Sequence, residues 1–268
     1  MYYKYYNDNK LYNFDKYQYY RLERPYAIEI INFSFNNLYF IPNLDKLINL
    51  KELNCDCNLL TSLPSLNHLQ NLEILICSSN LLYELPNLNN LKKLKILICS
   101  HNNLNYLPLL YNLTNLLELN CSYNRLTNLY YLNRLTKLKK LHCHVNFLFN
   151  INNISNLINL EELLISYNYI YELPNLNKLT NLKKFYCFNN QLSNLPNLNK
   201  LINLYDFKCY KNYIDSIPLS IMYCKSLKYY IKISQYKYNN KLSYILNCII
   251  KYYLHNFITN YYNSKYLI

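Results

Sequence analysis

The sequence predicts a solenoid, a chain wound into stacked coils of equal length, and three observations carry that reading. Starting at Ile28, Leu50, Leu72, Leu94, Leu116, Leu138, Leu160, Leu182 and Leu204, the chain repeats as eight units of 22 residues followed by one of 23. Position 9 of the unit is asparagine in all nine copies: Asn36, Asn58, Asn80, Asn102, Asn124, Asn146, Asn168, Asn190 and Asn212. Position 15 is proline in seven, at Pro42, Pro64, Pro86, Pro108, Pro174, Pro196 and Pro218. A unit this short cannot bury its own apolar face, so it must stack on its neighbours in register.

Three segments follow in order. Residues 1–27 form an N-terminal flank or cap, rich in Tyr, Asn and Lys and without clear periodicity. Residues 28–226 hold the nine repeats, in which positions 1, 4, 6, 11, 14, 17 and 20 are almost always apolar. Positions 4 and 6 share one face of a short strand, which leaves positions 3, 5, 7 and 8 directed outwards. Asparagine at position 9 can satisfy backbone groups where the chain turns off the strand, so the nine should stack into an interior ladder. Proline at position 15 fixes φ and withdraws a donor, which suits an extended or turn-starting segment at the back. The spacing of Leu176, Leu179 and Leu182 then predicts a short 3₁₀ or single-turn helix. The fifth and sixth repeats place Tyr130-Tyr131 and Asn152-Asn153 where proline usually leads, which predicts a looser convex backbone there. Residues 227–268 leave the register. Leu242, Ile245, Leu246, Ile249, Ile250, Tyr253, Leu254, Phe257 and Ile258 recur at helical spacing, an amphipathic helix suited to covering the exposed end of a stack.

This grammar resembles the leucine-rich repeat family, and within it the short 22-residue class of phosphatase-regulator-like and internalin-like solenoids. The resemblance covers residues 28–226. It implies an α/β fold: a right-handed solenoid with a parallel sheet on the concave face and short 3₁₀ or irregular segments on the convex face, closed by a C-terminal helical cap.

Composition narrows the function. The net charge is +13, of which residues 227–268 supply six lysines and no acid. That tail could attract nucleic acid or an anionic membrane surface. The N-terminus lacks the apolar core of a signal peptide, and no run of 18 apolar residues occurs, so the expectation is an intracellular, cytoplasmic, monomeric protein. Seven of the ten cysteines, Cys55, Cys77, Cys99, Cys121, Cys143, Cys187 and Cys209, occupy position 6 and should be buried in place of the family's leucine. Cys57, at position 8, is the expected exposed thiol. His142-Cys143-His144 looks like a metal motif, but the histidines should face away from the cysteine, and two ligands are too few for a structural zinc. A chain without glycine holds no glycine-dependent phosphate loop or nucleophile elbow. Glu52, Glu161 and Glu162 have no visible acid–base partner. No metal, no cofactor and no catalysis are expected.

What remains is the outward-facing surface of the strands. Ile74, Ile76, Ile96 and Ile98 make a two-by-two apolar patch in the third and fourth repeats, set among Glu52, Asn54, Asp56, Ser78 and His101. In repeats six to nine the same positions carry Lys140, His142, His144, Tyr167, Lys184, Tyr186, Phe188, Lys208 and Tyr210. Mixed aromatic and basic residues are typical of contact hot spots, and exposed apolar patches mark interaction sites. The reading is a non-enzymatic scaffold that binds a protein partner on its concave face, with an acidic, partly apolar partner suiting the C-terminal half. The alternative is attachment of the basic tail to nucleic acid or an anionic membrane surface.

Overall fold

The computed structural model describes residues 25–215 and the short strand Tyr12–Asn13. Each repeat, here called a coil and numbered from Ile28, spends three residues on a strand: β2 Ile30–Asn32, β3 Glu52–Asn54, β4 Ile74–Ile76, β5 Ile96–Ile98, β6 Glu118–Asn120, β7 Lys140–His142, β8 Glu162–Leu164, β9 Lys184–Tyr186 and β10 Asp206–Lys208. The sheet has ten strands rather than nine, because Tyr12–Asn13 of the flank adds β1 in parallel against β2. All pairings are parallel and in sequence order. The register between repeats is the sequence period: Leu53 pairs with Leu75, and Leu75 with Leu97. In every coil the central strand residue is buried and its two neighbours are half-buried.

Hydrogen bonds between coils continue past the strands, as where Cys55 and Cys57 donate to the carbonyls of Ile76 (2.8 Å) and Ser78 (3.1 Å). The chain then turns off the sheet through a left-handed residue at position 8 of every coil. Phe35, Cys57, Ser79, His101, Tyr123, Val145, Tyr167, Asn189 and Lys211 all have φ between 51° and 59°. Glycine would take this conformation without steric cost, and the chain has none.

Asparagine at position 9 locks that turn. Asn124 Nδ2 donates to the carbonyls of Cys121 and Ser122 in its own coil (3.1 and 3.2 Å) and of Cys99 in the preceding one (3.0 Å). Its Oδ1 accepts the Leu104 N–H of the preceding coil at 3.0 Å. The pattern recurs from Asn58 to Asn190, all buried. The expected interior ladder is present, and each rung ties two coils together.

The convex side carries the expected short 3₁₀ and irregular segments, but no helix at the Leu176, Leu179 and Leu182 spacing. Leu179 N–H donates to Leu176 O (2.9 Å) and Leu182 N–H to Leu179 O (3.0 Å), so the leucine spacing gives consecutive turns with i→i+3 bonds rather than a helix. Where asparagine follows the proline it supplies the first bond: Asn177 and Asn199 N–H donate to Asn175 and Asn197 Oδ1 (2.8 and 2.9 Å). Beyond Pro25–Ala27, the described 3₁₀ segments are Leu132–Arg134 and Asn152–Ile154, in the two coils without proline. A second asparagine ladder at position 22 was not foreseen. Asn71, Asn159 and Asn181 donate to the carbonyls of Ile48, Thr136 and Ile158 of the preceding coil at 2.8–3.1 Å.

Between the two sides runs one continuous core of leucines at positions 1, 4, 11, 17 and 20, with the position 6 cysteines fully or almost fully buried among them. The expected helix over 242–258, the basic tail and the end of the ninth repeat lie outside the described residues.

Candidate functional site

Positions 3 and 5 flank the buried position 4, so they project from the concave sheet and line up along the stack. In coils 6 to 9 this brings Lys140, Glu162, Lys184 and Asp206 into one row and His142, Leu164, Tyr186 and Lys208 into the next. The first row alternates in charge. Lys140 Nζ reaches Glu118 Oε2 at 3.2 Å, and Lys184 Nζ reaches Glu162 Oε1 at 3.7 Å. His142 Nε2 lies 3.2 Å from Glu162 Oε2. At the rim, Glu161 takes Lys183 at 2.6 Å and Lys139 at 3.8 Å. Glu161 and Glu162, which have no visible partner in the sequence, are therefore ion-pair acceptors, with lysines one coil away.

Aromatic rings join the last coils. Phe188 stacks on Tyr210 (centroids 4.4 Å apart, planes 13° apart) and meets Tyr167 edge-on at 5.3 Å. Tyr186 lies beside Phe188 at 6.3 Å, its hydroxyl donates to Asp206, and Lys208 Nζ sits 4.0 Å from its ring centroid. Burial first, then the bond to Asp206, pushes the Tyr186 phenol up to about 12. Such pairs are worth about 0.5–1.5 kcal/mol beyond the area they bury, so the rings order one another before any partner arrives.

A second aromatic run was missed by the sequence reading, which passed over coil 5. Tyr123 stacks on His101 (4.0 Å, 13°) and meets His144 edge-on at 5.3 Å, linking coils 4 and 6. The available signal was its place at position 8, the same position as Tyr167. Phe147, Phe149 and Tyr169 form a further exposed group on the turn side, with centroids 5.9–6.1 Å apart, at positions 10 and 12 that the strand pattern does not reach.

In coils 3 and 4 the register pairs Ile74 with Ile96 and Ile76 with Ile98, so the four side chains do adjoin, each half-buried. Glu52 and Asn54 border them on one side, Glu118 and Asn120 on the other. Two expectations are corrected. Position 7 is covered where it is serine: Ser78, Ser100, Ser122 and Ser166 are buried, and Ser100 Oγ donates to Ser78 Oγ at 3.1 Å, whereas Asp56, His144, Phe188 and Tyr210 at the same position are half-buried. Cys57 is only half-buried rather than exposed, and its thiol donates to Asp56 Oδ2 at 3.3 Å; burial first, then that bond, holds its pKa up.

The side chains are chemically quiet. Burial pushes the Cys55 and Cys121 thiols up to about 12. Burial, then the neighbouring His142 and His101, holds His144 down to about 4, and burial also lowers His142 despite Glu162. Both imidazoles are neutral at pH 7. Among the described residues no three His, Cys, Asp or Glu side chains converge as metal ligands would.

Comparison with known proteins agrees with the architecture. The family model for leucine-rich repeats (two copies) matches residues 158–200. A leucine-rich repeat protein of Leptospira interrogans is 27% identical, with a TM-score of 0.67 over 75% of this chain and 53% of its own. The leucine-rich effector protein YopM of Yersinia pestis is 31% identical, with a TM-score of 0.64 over 72% of this chain and 52% of its own. The functional domain of InlJ from Listeria monocytogenes, described as including a cysteine ladder, shares the fold at 24% identity (TM-score 0.59, covering 74% of this chain and 48% of that one). The chain thus spans about half the length of these solved structures. No curated protein matches it in sequence. Nine repeats in one register, the parallel sheet they build and these likenesses agree: the chain is a leucine-rich repeat protein of the 22-residue class.

Proposed function

We propose that this solenoid is a non-enzymatic, monomeric interaction scaffold whose principal contact surface is the concave face of coils 6 to 9. Leucine-rich repeat solenoids are typical interaction scaffolds. The observation that carries the proposal is the ring cluster Tyr167, Phe188, Tyr210 and Tyr186, held by ring-on-ring contact and by Asp206, on and just beyond paired parallel strands. Rigid aromatic anchors lose little side-chain freedom on association. Lys140, His142, His144 and Lys184 form the border. Since Lys140 and Lys184 already face Glu118 and Glu162, an acidic group on the partner is best placed at Lys208, beside the Tyr186 ring. Free cysteines throughout the described residues suit a reducing, intracellular compartment.

The test is affinity capture with the wild-type chain and with a Tyr186→Ala/Phe188→Ala/Tyr210→Ala variant, identifying what each retains. Truncating a hot-spot cluster of this kind should weaken the specific partner by about 2–4 kcal/mol, enough to lose it from the capture. Undiminished capture by a variant with wild-type circular dichroism would overturn the proposal. The alternative, attachment of residues 227–268 to nucleic acid or an anionic membrane, calls for a steep fall in binding as salt rises. The aromatic contact calls for a shallow one.

A further inference from the structure

The isoleucine patch of coils 3 and 4 has its own chemistry, distinct from the aromatic surface. Four aliphatic side chains from two adjacent strands form a square, and the strands on either side end it with the same pair of residues at the same positions. Glu52 and Asn54 stand on β3, and Glu118 and Asn120 on β6. The two asparagines are held alike. Asn54 Oδ1 accepts the Asp56 N–H at 3.0 Å, and Asn120 Oδ1 accepts the Ser122 N–H at 3.2 Å and its hydroxyl at 2.6 Å. No lysine or arginine occupies positions 3, 5, 7 or 8 in coils 2 to 5. The cations at the edge, Lys51 and Lys95, are bound by Glu29 and Glu73 at 2.8 and 2.6 Å. Lys140 of the next coil neutralises Glu118 in part. The patch is therefore an aliphatic floor between two carboxylates, with Asp56 adding a third at the Glu52 end.

Spacing selects the occupant. Glu52 and Glu118 are three strand steps apart, about 14 Å at the usual separation of 4.8 Å. An extended chain covers about 14 Å in four residues, and its residues i, i+2 and i+4 share one face. We infer that this face binds an extended peptide segment lying across the strands, with a basic residue at i, a large aliphatic residue at i+2 and a basic residue at i+4. The aliphatic side chain rests on Ile74, Ile76, Ile96 and Ile98, and the two cations meet Glu52 and Glu118. Because both ends of the patch carry the same Glu–Asn pair, the segment is accepted in either chain direction. The inference rests on the reading of the concave face as a contact surface, but not on the aromatic half of it.

A labelled, end-blocked peptide with the core Lys-Ser-Leu-Ser-Lys, titrated into the full chain and followed by fluorescence anisotropy, tests the assignment. Replacing its leucine by serine should weaken binding about tenfold, and replacing either lysine by glutamate about threefold to fivefold. Glu52→Lys should cost more than Glu118→Lys, since Glu118 already has a cation. Glu52→Lys should also improve binding of the Glu-Ser-Leu-Ser-Lys peptide, a gain that misfolding could not produce. Tyr186→Ala/Phe188→Ala should leave the titration unchanged, which separates failure here from failure at the aromatic surface. Absence of saturable binding, equal binding of a Glu-Ser-Leu-Ser-Glu peptide, or indifference to Ile76→Ser/Ile98→Ser would overturn the inference. So would a dimer of the wild-type chain, seen by sedimentation, that Ile76→Ser/Ile98→Ser disperses, because the patch would then belong to a second copy.

Discussion

Coils 2 to 5 and coils 6 to 9 are built on one backbone and present two different surfaces. Both halves bury Leu or Phe at position 4, hold asparagine at position 9 with the same four contacts, and turn through a left-handed residue at position 8. The first half places isoleucine and carboxylate on that frame. The second places alternating charges that largely cancel, and rings that touch from coil to coil. Positions 3 and 5 join the coils through backbone groups, which any side chain leaves in place, and their side chains are outside the buried core, so those side chains are free to differ without unsettling the stack. A solenoid can in this way carry two unlike contact surfaces within a few turns of each other.

Coil 5, where the halves meet, gives the largest expected effect. Asn124→Ala removes four hydrogen bonds and leaves the Leu104 N–H unpartnered, while the carbonyls of Cys99, Cys121 and Ser122 keep the Asn102 and Asn146 amides and the His101 N–H; the change should cost about 3 kcal/mol by urea denaturation. Neighbouring coils stabilise one another through their interfaces, so hydrogen exchange should accelerate on both sides of the substitution. A loss below about 1 kcal/mol would show that the ladder is not what joins the halves.

A middle-sized effect separates the halves by acidity. His144 stays neutral in the folded chain until pH falls to about 4, whereas an ordinary imidazole takes a proton near 6.5. The unfolded state therefore binds more protons between those values, and stability should fall as pH falls through that window. After discounting for partial exposure of the ring, the loss should be about 1–2 kcal/mol. His142, also lowered, adds in the same direction. Thermal melts at pH 7, 6 and 5 should show a shallower decline for His144→Gln than for the wild type. Equal slopes would mean that the ring is solvated.

The smallest effect concerns the turn common to both halves. Val145 is β-branched and stands at φ 55°, whereas Ser79 holds the same position at φ 51° with a small side chain. Val145→Gly should stabilise the chain by about 0.5–1 kcal/mol, and Ser79→Gly by less. The melting temperature reads both. A destabilising Val145→Gly would show that valine packing outweighs the backbone strain.

Much of the frame was legible beforehand because it repeats. Leu53, Leu75 and Leu97 mark one column, Asn58, Asn80 and Asn102 another, and a column has a single structural meaning. The Ile74–Ile98 square was legible too, since in-register strands place equal positions side by side. The ion-pair rows were not. Glu162 and His142 are 20 residues apart, and only the stack brings their side chains within 3.2 Å. Tyr123 was passed over because its contacts, His101 and His144, belong to neighbouring coils. The second asparagine ladder was hidden because lysine interrupts it at Lys93 and Lys137, which instead donate to Asn71 and Asn115 at 2.7 Å.

By itself, the sequence determined the period, the buried columns and the interior ladder. Each of these follows from a requirement that one repeat states in full: an apolar side chain needs a core, and a turning backbone needs partners for its polar groups. The tertiary structure alone decided which exposed charges cancel, which rings stack and how deeply the position 7 side chains are covered. Those are relations between coils about 22 residues apart in the chain, and they depend on the separation and angle at which stacked strands hold their side chains.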